Sequence, residues 1–195
     1  EGAQPAQAPS VAVTNPGPVG TVGAGADSLY NLDARNSVFS HDGRLYRPVS
    51  RLCHEMLAKL PEVGIEIYRA GHEVEAQELL DQAKVDGSIG ALEQVAARFF
   101  VTEAAGEAMV LLADRLMHEG RYRAAVQVLR DLLEVYPQKN RQKLGVRDVW
   151  CEFKIALCLR LAGERETAQQ AVTTMAERFP EESLRVLGEL ESVRD

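Results

Sequence analysis

Between Gly106 and Pro137 the chain reads GEAMVLLADRLMHEGRYRAAVQVLRDLLEVYP: two apolar-periodic stretches joined at a glycine and closed by a proline. Leu112 and Leu116, then Leu129, Leu132 and Leu133, recur at three- and four-residue steps, the spacing of an apolar stripe on a helix. Ala113 and Ala125 are small where two helices have to approach closely. Gly120 is able to take the positive φ that ends the first helix and turns the chain. Pro137 stops the second helix, because a residue before proline is pushed out of the α region. The stretch is therefore a helical hairpin, and neighbours of similar build have to cover its stripes.

A second copy follows. If Gly106 is position 1, then Leu112, Ala113, Leu116, Gly120, Tyr122, Ala125, Leu129, Leu132 and Pro137 fall at positions 7, 8, 11, 15, 17, 20, 24, 27 and 32. Starting again at Val149, the same positions hold Ile155, Ala156, Leu159, Gly163, Ala168 (position 20), Val172, Met175 and Pro180. The two prolines are 43 residues apart (180 − 137), so about nine residues are inserted relative to a 34-residue period. The insert, 138–147, carries Lys139, Arg141, Lys143 and Arg147 and reads as a solvated basic loop, with an acidic partner or lipid headgroups as the alternative. With this period and these positions the chain resembles the tetratricopeptide repeat. It departs at position 4, where the family favours Trp and Met109 stands here, and at position 27, where it favours Ala and Leu132 stands here.

The expected architecture is all-α: a tetratricopeptide-like solenoid of helical hairpins behind a disordered N-terminal linker. Residues 1–28 are rich in Ala, Pro, Gly and Val, with no charge between Gln4 and Asp27, and read as that linker. The start at Glu1, with neither initiator Met nor signal-peptide pattern, is read as a processed or truncated product. Residues 29–195 form the repeat domain. Apolar anchors among turn residues in 29–47 are expected to pack on the first helices. Pro48 to Leu60 is a helix, and Pro61 opens a short one through Tyr68 with a break at Gly71. Glu73 to Val85 and a helix capped by Ser88 make a degenerate first repeat over 73–101. Repeats at 106–137 and 149–180 follow, and 181–192 is expected to be a helix capping the open end.

Composition narrows the function classes. A net charge of −7 argues against nucleic acid as a ligand, since phosphate binding needs a basic face. No segment approaches the roughly 20 apolar residues of a membrane span. Cys53, Cys151 and Cys158 make an odd set without a close pair, and all three read as small buried side chains. Cys151 and Cys158 lie about 10 Å apart along one helix face, too far to bridge. His54-Glu55 and His72-Glu73 begin like a zinc-protease motif, but Ala58 and Ala76 stand where the second histidine belongs. His118 has no ligand at metal spacing, and the histidines read as surface or cap residues. No nucleophile elbow or phosphate loop is present, so no catalytic residue, metal or cofactor is expected, and the chain is read as a non-enzyme.

What remains is a surface. Stacked repeats line a concave groove with the first helix of each unit. By repeat position the groove draws on Glu107, Val110, Asp114, Met117 and His118, then on Trp150, Phe153, Leu157, Arg160 and Leu161. In the repeat family, the two-carboxylate clamp of chaperone-binding members implies Lys and Asn at positions 5 and 9. Val110 and Asp114, then Phe153 and Leu157, stand there instead, which argues against that ligand. Trp150, the single tryptophan, is open to two readings, a groove anchor or a core residue.

Three runs, Leu60-Pro61-Glu62-Val63-Gly64-Ile65-Glu66-Ile67-Tyr68, Glu75 to Leu80 and Ala97 to Thr102, together with the 106–137 unit, carry a further resemblance. They look like the helical N-terminal region of large planctomycete-type envelope proteins, in which a β-propeller of pyrroloquinoline-quinone-like repeats follows. That resemblance implies an envelope or periplasmic setting, with the cytoplasm as the alternative. The expected role is an interaction or scaffold module holding a protein or peptide in the groove. The alternatives are a structural domain that packs on such a propeller or self-associates as a homodimer, and an accessory part of a quinone-linked oxidoreductase.

Overall fold

The computed structural model describes residues 38–40, 46–186 and 189–193. The expected linker over 1–28 and the anchors at 29–37 lie outside them. A short antiparallel ribbon comes first, β1 (Val38–Ser40) against β2 (Tyr46–Pro48), with Phe39 opposite Arg47. Eight helices follow: α1 (Val49–Ala58), α2 (Glu62–Asp86), α3 (Ile89–Arg98), α4 (Glu103–His118), α5 (Tyr122–Glu134), α6 (Gln138–Lys143), α7 (Asp148–Leu161) and α8 (Arg165–Arg178). An antiparallel hairpin, β3 (Ser183–Val186) with β4 (Glu189–Ser192), closes the described chain. The fold is a stack of helical hairpins: the C-terminal half of α2 with α3, α4 with α5, and α7 with α8.

Glycine sets the turns where the spacing placed them. Gly87, Gly120 and Gly163 have φ of 63°, 73° and 85°, a region costly for any residue with a Cβ. They stand 33 and 43 residues apart (120 − 87 and 163 − 120), which fixes a common register for the three hairpins. Ser88 and Thr102 cap α3 and α4 by accepting from the backbone N–H of Ala91 and Ala105. One core runs through the stack, from Ala76 and Leu80 on α2 through Leu112 and Leu116 on α4 and Leu129 and Leu132 on α5 to Ile155 and Leu159 on α7. A smaller cluster of Val149, Met175, Leu184 and Val193 sits under the terminal hairpin, with Phe153 and Phe179 against it.

Four expectations are corrected. The break at Gly71 does not occur, and α2 runs unbroken for 25 residues. Its N-terminal half has partners of its own. Arg69 bonds Glu73, Glu103 and Asn140, Lys139 pairs with Glu62 at 2.7 Å, and Tyr68 donates to the carbonyl of Arg98. Tertiary partners therefore outweigh the ~1 kcal/mol cost of one glycine in a helix. The capping helix over 181–192 is a β-hairpin instead. Ser183, Leu184 and Val186 give a short strand, and Leu184 closes the small core from that position.

The 138–147 insert is not a solvated loop. It folds into α6 and returns to the core, with Asn140 and Arg141 buried. Arg141 donates to the carbonyls of Leu132, Leu133 and Tyr136 at the end of α5, and makes a two-pronged pair with Asp148 at the start of α7 (2.7 and 3.0 Å). Asn140 donates to the carbonyl of Val101. The insert is a bracket that ties one repeat to the next. Last, His54 and Cys53 exchange their expected places. His54 is buried, stacked flat on Phe100 at 4.0 Å with Nε2 3.0 Å from the carbonyl oxygen of Ala97, and Cys53 is exposed.

Candidate interaction surface

The register set by the three glycines places the inner helices side by side. Subtracting 33 or adding 43 residues aligns Val74, Glu107 and Trp150, then Asp81, Asp114 and Leu157, then Val85, His118 and Leu161. Among the described residues three ion pairs join neighbouring inner helices: Arg69 with Glu103, Lys84 with Glu107 at 2.8 Å, and Lys154 with Asp114. Each row runs from α2 through α4 to α7.

The rows differ in character from one side to the other. On α2, Val63, Ile67, Ala70, Val74 and Val85 lie opposite the core-facing Ala76, Leu80 and Ala83, and are exposed. On α7, Trp150, Leu157 and Leu161 recur at helical steps and are exposed at 37%, 37% and 51%. Both helices are thus apolar on two faces, with only one of them buried. Between them α4 presents Glu107, Asp114 and His118. The surface has two apolar walls and a charged floor.

The expected groove residues occupy the following places. Trp150 is neither core nor free-standing: its ring stacks on Phe153 with centroids 5.3 Å apart, and Lys154 Nζ lies 5.6 Å from its centre. Phe153 turns partly into the small core, and Met117 packs against the main one, so neither is a free groove side chain. Asp114 is held by Lys154, and His118 Nδ1 contacts the carbonyl of Asp114 at 2.7 Å, one turn back on its own helix. Leu157 and Arg160 are exposed. Arg160 falls at the register position of Met117. The α2 wall escaped the sequence reading because the repeat was anchored further along the chain. Its signal was there: Val63, Val74 and Val85 are 11 residues apart, a step that keeps one line along a helix.

Chemistry is sparse among the described residues. No group of three or more His, Cys, Asp and Glu is placed to hold a metal ion, and no helix is long and apolar enough to cross a membrane. Burial pushes the thiols of Cys151 and Cys158 up to about 11, away from the range of a reactive thiolate. Burial raises the carboxyl of Asp131 on α5 to about 6, against the opposing pull of the Arg51 guanidinium. Arg51 pairs with Asp131, Glu134 and Glu55, so this cluster fastens α1 to α5.

Residues 107–139 match a tetratricopeptide repeat. The tetratricopeptide match covers α4, α5 and the start of α6, the unit on which the register was built. With the helical hairpins on either side, it establishes a tetratricopeptide-like helical domain. No curated protein and no solved structure matches the chain. Tetratricopeptide units act as protein-interaction modules, and that general role carries over to this chain.

Proposed function

We propose that this domain holds a protein segment on its inner face, between the apolar wall of α2 and the apolar wall of α7. The observation that carries the reading is the exposed row Trp150, Leu157, Leu161, matched in register by Val74 and Val85 across the stack. Apolar side chains aligned on two walls gain free energy only when something covers them, about 25 cal/mol for each Å² removed from water. Trp150 on Phe153 supplies a flat aromatic platform, the kind of anchor that dominates binding energy. Glu107 and Asp114 on the floor are each held by a lysine, so the floor offers directed polar contacts rather than bare charge.

The test is selection of binding segments from a displayed peptide library on the immobilised chain. Retention on wild type and on a Trp150→Ala/Leu157→Glu double variant is then compared. Both positions are exposed, so the double variant keeps its fold. Selected segments should lose at least tenfold in affinity on it, and their binding should shift the emission of the single tryptophan. Segments that bind both proteins equally would refute the inner-face reading.

A further inference from the structure

On the outer side of α7, away from Trp150, a recess of about 280 Å³ opens between α5 and α8. Arg130, Leu133 and Glu134 line it from α5, and Gln170, Ala171, Thr174 and Arg178 from α8. Ile155 and Leu159 of α7 form its floor. At 100° per residue these two side chains point about 140–180° away from Trp150, so the recess and the inner face are opposite surfaces.

The same register that aligns the inner helices explains the recess. Between α3 and α5, α1 is seated on Ala97 and Phe100 through His54, and on Asp131 through Arg51. Moving Ala97 and Phe100 forward by 33 residues gives Arg130 and Leu133. Moving Asp131, and Gln127 which donates to it, forward by 43 gives Thr174 and Gln170. All four images line the recess. The repeat has built the seat of α1 twice, and α1 fills one.

We infer that the recess between α5 and α8 is a second helix seat, and that it takes a short amphipathic helix of another protein that brings a carboxylate to Arg130. The charges select this occupant. Glu152 is paired with Arg178, and Glu134 with Arg51 from the neighbouring seat. Arg130 makes no hydrogen bond or ion pair among the described residues, so it is the cation left over. A second copy of α1 is a poor match. Its Arg51 would meet Thr174 where it needs Asp131, and its His54 would find Arg130 and Leu133 in place of Ala97 and the stacking ring of Phe100. Leu133, Ala171 and Leu159 offer the apolar contacts beneath.

The probe is a lactam-stapled, fluorescein-labelled peptide copying residues 48–60 with Arg51→Gln and His54→Glu, titrated with the full chain by anisotropy. Saturable binding is expected, at least tenfold tighter than that of the unaltered 48–60 peptide. Arg130→Glu should weaken it at least tenfold, and a His54→Lys form of the peptide should regain binding to Arg130→Glu. Arg130 is exposed, so that variant keeps its circular dichroism spectrum, and the inner-face double variant should bind the probe as wild type does. Ala171→Trp, which fills the recess, should abolish binding. Absence of saturable binding, indifference to Arg130→Glu, or tighter binding of the unaltered peptide would overturn the proposal, the last by making a second copy of this chain the occupant.

Discussion

The α4–α5 and α7–α8 hairpins share one register, yet they are enclosed to different degrees. Leu129 on α5 is buried at 2% exposure, and its image on α8, Val172, is 41% exposed. Gly106 at the start of α4 and Val149 near the start of α7 occupy the same repeat position with opposite needs. Gly106 is crossed by the α6 bracket: a Cβ there would lie 2.5 Å from Leu144 Cδ1 and from Tyr136 Oη. Val149 instead fills the small core against Met175, Leu184 and Val193. The repeat period fixes where each side chain points. The neighbour that arrives there decides whether it is core, rim or forbidden. Among the described residues the first of these hairpins is covered on both sides, by α3 and by α6–α7, whereas the second has the β3–β4 hairpin beyond it.

The sharpest break of this comparison is a matched pair. Leu129→Ala should cost about 2–4 kcal/mol in urea unfolding, the range for truncating an enclosed side chain. Val172→Ala should cost under about 0.5 kcal/mol, as an exposed change does. Equal costs would mean that α8 is covered in solution.

A smaller effect is expected at Gly106. In an open helix, glycine to alanine gains up to about 1 kcal/mol. Here Leu144 could swing aside, but Tyr136 is anchored by its bond to the Thr102 carbonyl at 2.8 Å, so the contact is not relieved. Gly106→Ala should therefore destabilise, by about 1–3 kcal/mol. A rise in melting temperature would show that the α6 bracket gives way.

The smallest effects come from pH, at the fastening of α1. Asp131 has a folded pKa raised to about 6 by burial, above the usual carboxylate value, so the folded state holds this proton more firmly. Its contribution grows as pH falls from about 6 toward 4. His54 is shifted the other way, lowered by burial, so the folded state favours the neutral ring and loses stability as pH falls below the ordinary value near 6.5. The two act in opposite directions in the parent chain. Melting followed from pH 7 to 4 should show Asp131→Asn losing stability faster than the parent, and His54→Phe losing it more slowly. Parallel curves for all three proteins would show that neither group is coupled to folding.

Much of the fold was legible because its rules are local. The 32-position spacing from Gly106 to Pro137, the turn glycines at 87, 120 and 163 and the Ser88 cap each act within a few residues of themselves. The site was legible in part. Trp150, Leu157 and Arg160 emerge at exposed positions, but Phe153 and Met117 lean into cores whose other halves come from distant segments. The α2 wall was missed because Gly71 reads as a break in isolation, although residues up to 77 positions away support the helix that runs through it: Arg69, Tyr68 and Glu62 bond Asn140, Arg98 and Lys139.

By itself the sequence determined the helical hairpins, their order and their common register, since helical period and turn chemistry are properties of short stretches. Only the tertiary structure decided that a basic insert is a buried bracket, that the last described segment is a hairpin, and that α1 seats on Ala97, Phe100 and Asp131. These outcomes rest on burial and on charge pairing between segments distant in the chain. A buried amide such as that of Asn140 is favourable only once the Val101 carbonyl, 39 residues away along the chain, has been brought to it, and no local pattern of residues contains both.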